Sequence, residues 1–408
     1  MNTENTKRIC KPFLPTHLSL LLAAVLLAGC NSTTVKTAAH EEILTDDATT
    51  PEDLILDVGI GIFDPGVTES DEKEGVHLRI REAEARYMPN MMKNTLQQTG
   101  NWGAVRVIPD RQSEMDVWVD AKILKSDGEN LALQVQVEDA TGKVWFNRKY
   151  TDRASKFAYD GTLDARAEPF QGLYNKVAND MLQYRKRLKP NALRTIRTVA
   201  ELKFAKEFAP EFYEGHLQTD SRGRHSISRL PAENDSVLDR IRRIRERDYV
   251  FVDTLQQYYD SFSRQMQVPY MEWREAFYIE SQALKEVRSQ ARARTVGGAL
   301  AVLAGILAQG SGSRTARAAG VVGIGAGAAA VQSGLHKFEQ AKIHVEALEE
   351  ISSSLNAEIE PHTVKLENRT VTLTGTVQEQ YQQWQELLKE IYTSETGIPV
   401  PAESAEPG

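Results

Sequence analysis

Two short turn sequences constrain most of what the first half of this chain can become. Asp127-Gly128-Glu129-Asn130 and Asp139-Ala140-Thr141-Gly142-Lys143 separate runs rich in β-branched and aromatic residues. Strands at 117–124, 131–137 and 144–150 are therefore expected to form an antiparallel meander. Val117, Val119, Ala121 and Ile123 alternate with Trp118, Asp120 and Lys122, which predicts one buried sheet face and one wetter face. Upstream, the largely apolar run 54–63 suits a buried central strand, and Asp64-Pro65-Gly66 ends it as a turn. Residues 78–98 set Ile80, Ala83, Tyr87, Met88, Met91 and Leu96 near one helical face. Pro89 is expected to kink or divide that helix, and Gly100 to cap it. A short strand, Val105-Arg106-Val107-Ile108, follows, and a helix over 169–187 closes the unit. The fold class is α+β, with a β-α-β-β-β-α domain over residues 53–187.

Residues 190–294 change character. Helices are expected over 193–208, 237–262 and 270–292, with Asp235 or Ser236 capping the second and a polar loop over 218–234 between the first two. Tyr258, Tyr259, Phe262, Tyr270, Trp273, Phe277 and Tyr278 form an aromatic cluster. Core packing accounts for it, with a binding groove as the alternative. The run Arg240 to Arg245 and the run Arg288 to Arg294 read as solvated helix faces, or as docking faces for an acidic partner or lipid headgroups. Residues 295–334 are small and apolar around Gln309-Gly310-Ser311-Gly312, which predicts a Gly/Ala-rich αα-hairpin. Neither arm has the roughly 20 apolar residues of a spanning helix. Glycine at 320, 323 and 327 would let backbones approach closely. The hairpin then packs inside its own protomer, between protomers, or into a membrane. Residues 335–397 hold a charged helix and a small β-β-α module, with Tyr381, Trp384, Leu387, Leu388 and Ile391 as the apolar helix face. Residues 398–408 are expected to be disordered.

The amino-terminal segment gives the strongest indication of location. Lys7, Arg8 and Lys11 precede an apolar run over 18–27, and Leu27-Ala28-Gly29-Cys30 closes it. This resembles the signal peptide and lipobox of bacterial lipoproteins. The resemblance implies a signal peptide over 1–29, cleavage between Gly29 and Cys30, and covalent lipid on the Cys30 thiol. Asn31 after the cysteine implies sorting to the periplasmic face of the outer membrane. Residues 30–52 then read as a lipidated, flexible tether. The only other cysteine, Cys10, leaves with the signal, so the mature chain has no disulfide despite an oxidising compartment.

The element order over 54–187, with Asn101-Trp102-Gly103-Ala104-Val105-Arg106-Val107 after the helix, resembles three sets of envelope proteins. They are the curli secretion-channel lipoproteins, the lipoproteins that activate penicillin-binding proteins, and the N-terminal domain of the Tol–Pal propeller protein. The resemblance implies a non-enzymatic adaptor that docks protein partners. The long hairpins that build the curli pore have no counterpart here. Val371-Thr372-Leu373-Thr374-Gly375-Thr376-Val377 is similar to the V-x-L-x-G-x-V of periplasmic lipid-associated modules.

No His-Glu-x-x-His, paired-cysteine zinc spacing, phosphate loop or Gly-x-Ser-x-Gly occurs, so no catalytic residue, metal ligand or cofactor is expected beyond the lipid on Cys30. Gly59-Ile60-Gly61 lacks the third glycine and following helix of a dinucleotide site. Asp57, Asp64 and Asp120 could meet at a sheet end, although turn and surface roles suffice. A formal net charge of −8 argues against nucleic acid as a partner. The expected function is a membrane-anchored periplasmic scaffold or regulator of a cell-envelope assembly. The alternatives are an oligomeric outer-membrane translocation component and a cell-wall hydrolase. Self-association is testable directly. Leucine at both 323 and 327 is expected to convert oligomer to protomer in sedimentation velocity, and an unchanged profile would place any self-contact elsewhere.

Overall fold

The computed structural model describes residues 41–46, 50–67, 78–111, 114–155, 157–159, 168–308, 350, 359–366 and 369–400. Cys30, Gly29, Asn31, Gly320, Gly323, Gly327 and the second arm of the expected hairpin lie outside the described residues.

Strand β1 (Val58–Gly61) is buried throughout and lies between β2 (Val105–Ile108) and β3 (Val117–Ser126), parallel to both. Strands β4 (Asn130–Asp139) and β5 (Val144–Arg153) continue from β3 as the expected antiparallel meander. The five-stranded mixed sheet has the order β2-β1-β3-β4-β5. Both hairpins turn on an aspartate. Asp127 Oδ1 accepts the backbone N–H groups of Glu129 and Asn130. Asp139 Oδ1 accepts that of Thr141, and Gly142 adopts φ +75° to complete the turn.

Helix α1 (Leu78–Gln98) runs through Pro89 as one element, so the expected division does not occur. Proline removes the N–H that would bond the carbonyl of Ala85. That carbonyl accepts the N–H of Phe63 instead, at 3.0 Å, just past the end of β1. Ile80, Ala83, Tyr87, Met88 and Leu96 are buried as their spacing indicated, and Gly100 takes the left-handed conformation of a cap. Helix α2 (Gln171–Arg187) shares that core through Leu173, Tyr174, Val177 and Met181.

The residues before β1 depart from the tether reading. Asn175 and Asn179 of α2 donate to the carbonyls of Glu41 and Glu42, Asn179 accepts from Leu44, and Asn101 accepts from Asp46. Extended backbone has no internal partners. Asparagine amides, which donate and accept, therefore hold this stretch as a strap on α2.

Helix α3 (Pro190–Phe208) leads through a one-turn helix α4 (Pro210–Tyr213) into a region expected to be loop. It contains a small ribbon instead, β6 (Leu217–Thr219) against β7 (His225–Ile227). Then comes α5 (Ser236–Ala308), 73 residues long. Asp235 caps it, accepting from Val237 and Leu238. The two helices expected over 237–292 are thus one, with Pro269 inside it, and it continues into the first Gly/Ala-rich arm without a break at 294. Among the described residues no helix is long and apolar enough to cross a membrane.

The tail forms β8 (His362–Lys365), β9 (Thr370–Leu373) and α6 (Val377–Thr396). Thr376 and Glu379 make a reciprocal capping box, and Gly397 ends the helix in the left-handed region. Tyr381, Trp384, Leu387, Leu388 and Ile391 are buried, and Phe251 of α5 stacks on Trp384 at 4.7 Å. Ile398 and Val400 pack against the same cluster, which corrects the expectation of disorder beginning at 398. Apolar side chains two residues apart had a core to fall on.

Two cores result. One joins the sheet to α1, α2 and the stretch Phe262, Met266, Tyr270 and Trp273 of α5. The other gathers Trp118 with Phe204 and Phe208 of α3, Ile241, Ile244, Val252 and Leu255 of α5, and the face of α6. Trp118, expected on the wetter side of β3, is buried because these helices cover it.

Arg274 locks α5 to the first core. Its guanidinium is fully buried, pairs with Glu168 at 2.7 Å, and lies 3.8 Å from the Tyr270 ring centre. Arg274 donates to Tyr270 Oη, and Tyr270 donates in turn to the buried Glu84, which also accepts from Ser126 of β3. Next to it, Gly128 in the β3–β4 turn lies so close to the Arg274 carbonyl that a Cβ would overlap it. Breaking one half of a buried pair costs about 3–5 kcal/mol, whereas removing both halves is often nearly neutral. Arg274→Met is therefore expected to lower the urea unfolding free energy by about that amount. Adding Glu168→Gln should recover most of it. A double variant as unstable as the single one would contradict this account of the lock.

Candidate functional site

Two openings with polar linings stand out. The first, about 530 Å3, lies between α1 and α5 and is lined by Tyr87, Asn90, Thr95, Glu168, Gln171 and Asp260. Its two carboxylates are matched within the fold: Lys93 bonds Asp260 at 2.6 Å and Arg274 holds Glu168. Asn90 donates to Ser263, which leaves its Oδ1 without a partner.

The second is a cleft of about 300 Å3 where the entrances of β1 and β3 meet α3 and α5. Its floor follows from strand geometry. Asp57 and Asp116 stand immediately before two parallel neighbouring strands, so their side chains share one sheet end. Asp116 Oδ2 accepts the Asp57 N–H at 2.9 Å, and Asp57 Oδ1 accepts the Ala104 N–H at 2.8 Å. A Cβ on Gly103 would run into that Asp57 oxygen, so the close passage of this loop requires glycine.

The roof comes from helices. Arg242, Arg245, Glu246 and Tyr249 lie at threes and fours along α5, with Arg197, Thr198 and Glu201 on α3. Arg242 is occupied, with Nε on Glu201 at 2.6 Å and a second bond to Asp239. Arg197 donates to the Glu52 carbonyl at 2.6 Å. Arg245 donates one bond, from Nη2 to the Glu114 carbonyl at 2.8 Å, and its buried Nε has no partner. The Tyr249 ring lies between two guanidiniums, Arg106 at 4.5 Å and Arg245 at 5.3 Å, and its buried hydroxyl is also unpartnered. Arg106 completes a bidentate pair with Asp253 through Nε and Nη2 and leaves Nη1 unused. Two residues that line the cleft, Arg245 and Tyr249, thus each carry a buried donor without an acceptor.

Asp116 is only 4 % exposed. Burial raises its carboxyl to about 6, against the pull of Arg245 and the bond from Asp57 N–H, and the charge of Asp57 adds to the rise. Burial likewise pushes the Tyr249 hydroxyl up to about 12, with Arg245 acting against it, so the group remains a donor at neutral pH. A carboxylate kept charged where burial penalises it marks a functional candidate.

The other residues singled out from sequence fall elsewhere. Asp64 pairs with Lys122 at 2.9 Å and Asp120 with Arg111 at 3.4 Å, so neither joins Asp57. Gly59 and Gly61 are small because Met115, Trp118 and Asp120 crowd over β1. Of the histidines, not singled out above, buried His216 bonds the Arg229 carbonyl through Nδ1, and His362 packs edge-on against Phe251. Of the aromatic cluster, Tyr259, Phe262, Tyr270 and Trp273 are core. Among the described residues no group of His, Cys, Asp or Glu could hold a metal ion. Asp116 and Tyr249 were not assigned to a site from sequence, and Arg245 only as the end of the Arg240–Arg245 run. The signal there was weak: an arginine on the same α5 stripe as Ile241 and Ile244. Compared with protein-family models, curated proteins and solved structures, the chain matches none of them.

The raised carboxyl has a thermodynamic consequence. A folded-state value above the ordinary 3.8 means that the native chain binds the proton more tightly than the unfolded one. This group's contribution to stability therefore falls as pH rises from about 4 to about 6, and stays low above that. Asp116→Asn is expected to raise stability at pH 7.5 by up to about 3 kcal/mol, since each tenfold gain in proton affinity on folding corresponds to about 1.4 kcal/mol. The gain should vanish near pH 4. Thermal unfolding of both proteins across that range measures it, and a gain independent of pH would refute the assignment.

Proposed function

We propose that this chain is a lipoprotein anchored by lipid on Cys30 to the periplasmic face of the outer membrane, where it acts as a non-enzymatic scaffold or regulator of a cell-envelope assembly. The observation that carries the reading is Leu27-Ala28-Gly29-Cys30 at the end of an apolar run too short to span a bilayer. Gly29 and Cys30 flank the cleavage, and Asn31 directs the sorting. Acyl chains contribute about 0.8 kcal/mol per buried CH₂, and more than one chain gives stable attachment.

The architecture supports a scaffold. Helix α5 would extend about 110 Å at 1.5 Å per residue, several times the width of the sheet that holds it. Ser281 and Lys285 of this helix contact Glu129 in the β3–β4 turn, and the helix continues to Ala308. A helix of this length can place a second element, or a second copy, at a defined distance. On this reading residues 53–187 serve as the adaptor that meets a protein partner. The Gly/Ala-rich stretch folds back as a hairpin and self-associates through Gly320, Gly323 and Gly327.

The anchor is tested by replacing Cys30 with serine. The unaltered protein is expected to incorporate labelled palmitate and to need detergent for extraction. Cys30→Ser should incorporate none and be recovered without detergent. A serine variant that still requires detergent would move the anchor to the Gly/Ala-rich segment.

A further inference from the structure

The cleft at the entrance of β1 and β3 has a property that its ion pairs do not account for. Carboxylates from the sheet, Asp57 and Asp116, face a guanidinium and a phenol from α5, Arg245 and Tyr249. The two sets are close enough for Arg245 to draw down the Asp116 carboxyl. Yet among the described residues no hydrogen bond or ion pair joins Arg245 to Asp116 or Asp57. Arg245 Nε and Tyr249 Oη, both shielded from solvent, have no acceptor at all. Buried donors are nearly always satisfied, because an open one keeps the full penalty of leaving water. Opposite charges held apart across a cavity, with donors unused on one side, are complementary to a guest that carries both signs.

We propose that this cleft binds a small zwitterion, a free α-amino acid or a dipeptide. The guest carboxylate accepts from Arg245 Nε and the Tyr249 hydroxyl. The guest ammonium lies against Asp116 and Asp57. This goes beyond the scaffold reading and stands independently of how the chain is anchored.

Three features favour this guest over a simple ion. An anion would meet the arginines but would also sit on two carboxylates, and Glu201 and Glu246 add to that repulsion. A simple cation would leave the Arg245 and Tyr249 donors unmet. The cleft, about 300 Å3, is at the small end of ligand sites, which suits a guest of one or two residues. The location adds a consequence. The floor belongs to the sheet and the roof to α3 and α5, so a bound guest bridges the meeting of β1 and β3 with the long helix.

The test uses the full-length protein in detergent at pH 7.5. A panel of the common L- and D-amino acids and of alanyl-alanine is screened by the shift in unfolding temperature, and the best guest is titrated by calorimetry. At least one panel member is expected to raise the unfolding temperature and to bind. Its N-acetyl derivative, which lacks the ammonium, and its amide, which lacks the carboxylate, should each bind at least tenfold more weakly. Tyr249→Phe deletes only the unpartnered hydroxyl and is expected to weaken binding severalfold with the fold intact. Arg245→Gln and Asp116→Asn should each weaken it tenfold or more, with far-ultraviolet dichroism as the folding control. Three results would overturn the proposal. One is no shift with any member of the panel. Another is equal binding of the N-acetyl derivative, which would make the cleft an anion site. The third is guest affinity unchanged in folded Tyr249→Phe and Asp116→Asn.

Discussion

The buried guanidinium of Arg274 is the interaction on which the architecture turns. A charge taken fully out of water is tolerated only where opposite charge, hydrogen bonds and aromatic faces surround it. Here Glu168 supplies the charge, Tyr270 both a hydroxyl and a ring, and Phe170 a second ring. Those partners come from the segment entering α2 and from α5 itself, and through Tyr270 the chain of bonds reaches Glu84 on α1 and Ser126 on β3. Four elements distant in sequence are thereby required to meet at one point. Apolar packing alone would permit α5 to slide along the sheet. A desolvated ion pair does not, because any shift leaves both charges unpaired.

Much of the first half could be read directly from the residues. The aspartate-glycine turns, the alternation along 117–123 and the threes and fours of 80–96 each report a local rule, and each element forms. Legibility failed where distant parts decide. Pro89 looked like a break because its missing N–H is local, while the N–H that takes its place belongs to Phe63. Trp118 looked solvent-facing because its cover arrives from α5 and α6. The strap at 41–46 has no periodicity, and the amides that hold it are more than a hundred residues away on α2. The two helices expected on either side of 262–270 are one, and it passes through Pro269.

The cleft was illegible for the same reason. Asp57 and Asp116 are each one aspartate before a strand, and nothing local says that those strands are neighbours. Arg245 reads as part of a charged helical face and Tyr249 as part of the apolar stripe beside it. Only the crossing of α5 over the sheet end turns four ordinary residues into one polar chamber. Its unmet donors and its raised carboxyl represent stability forgone, and sites of that kind are where binding and stability trade against each other.

Pro89 has a further consequence. In most helices an imino acid is a fault that neighbours must absorb. Here it liberates an acceptor, and the chain leaving the central strand β1 uses it. An ordinary residue at 89 would restore an amide that competes with Phe63 for the same carbonyl, so the more regular helix would be the less firmly stitched to the sheet.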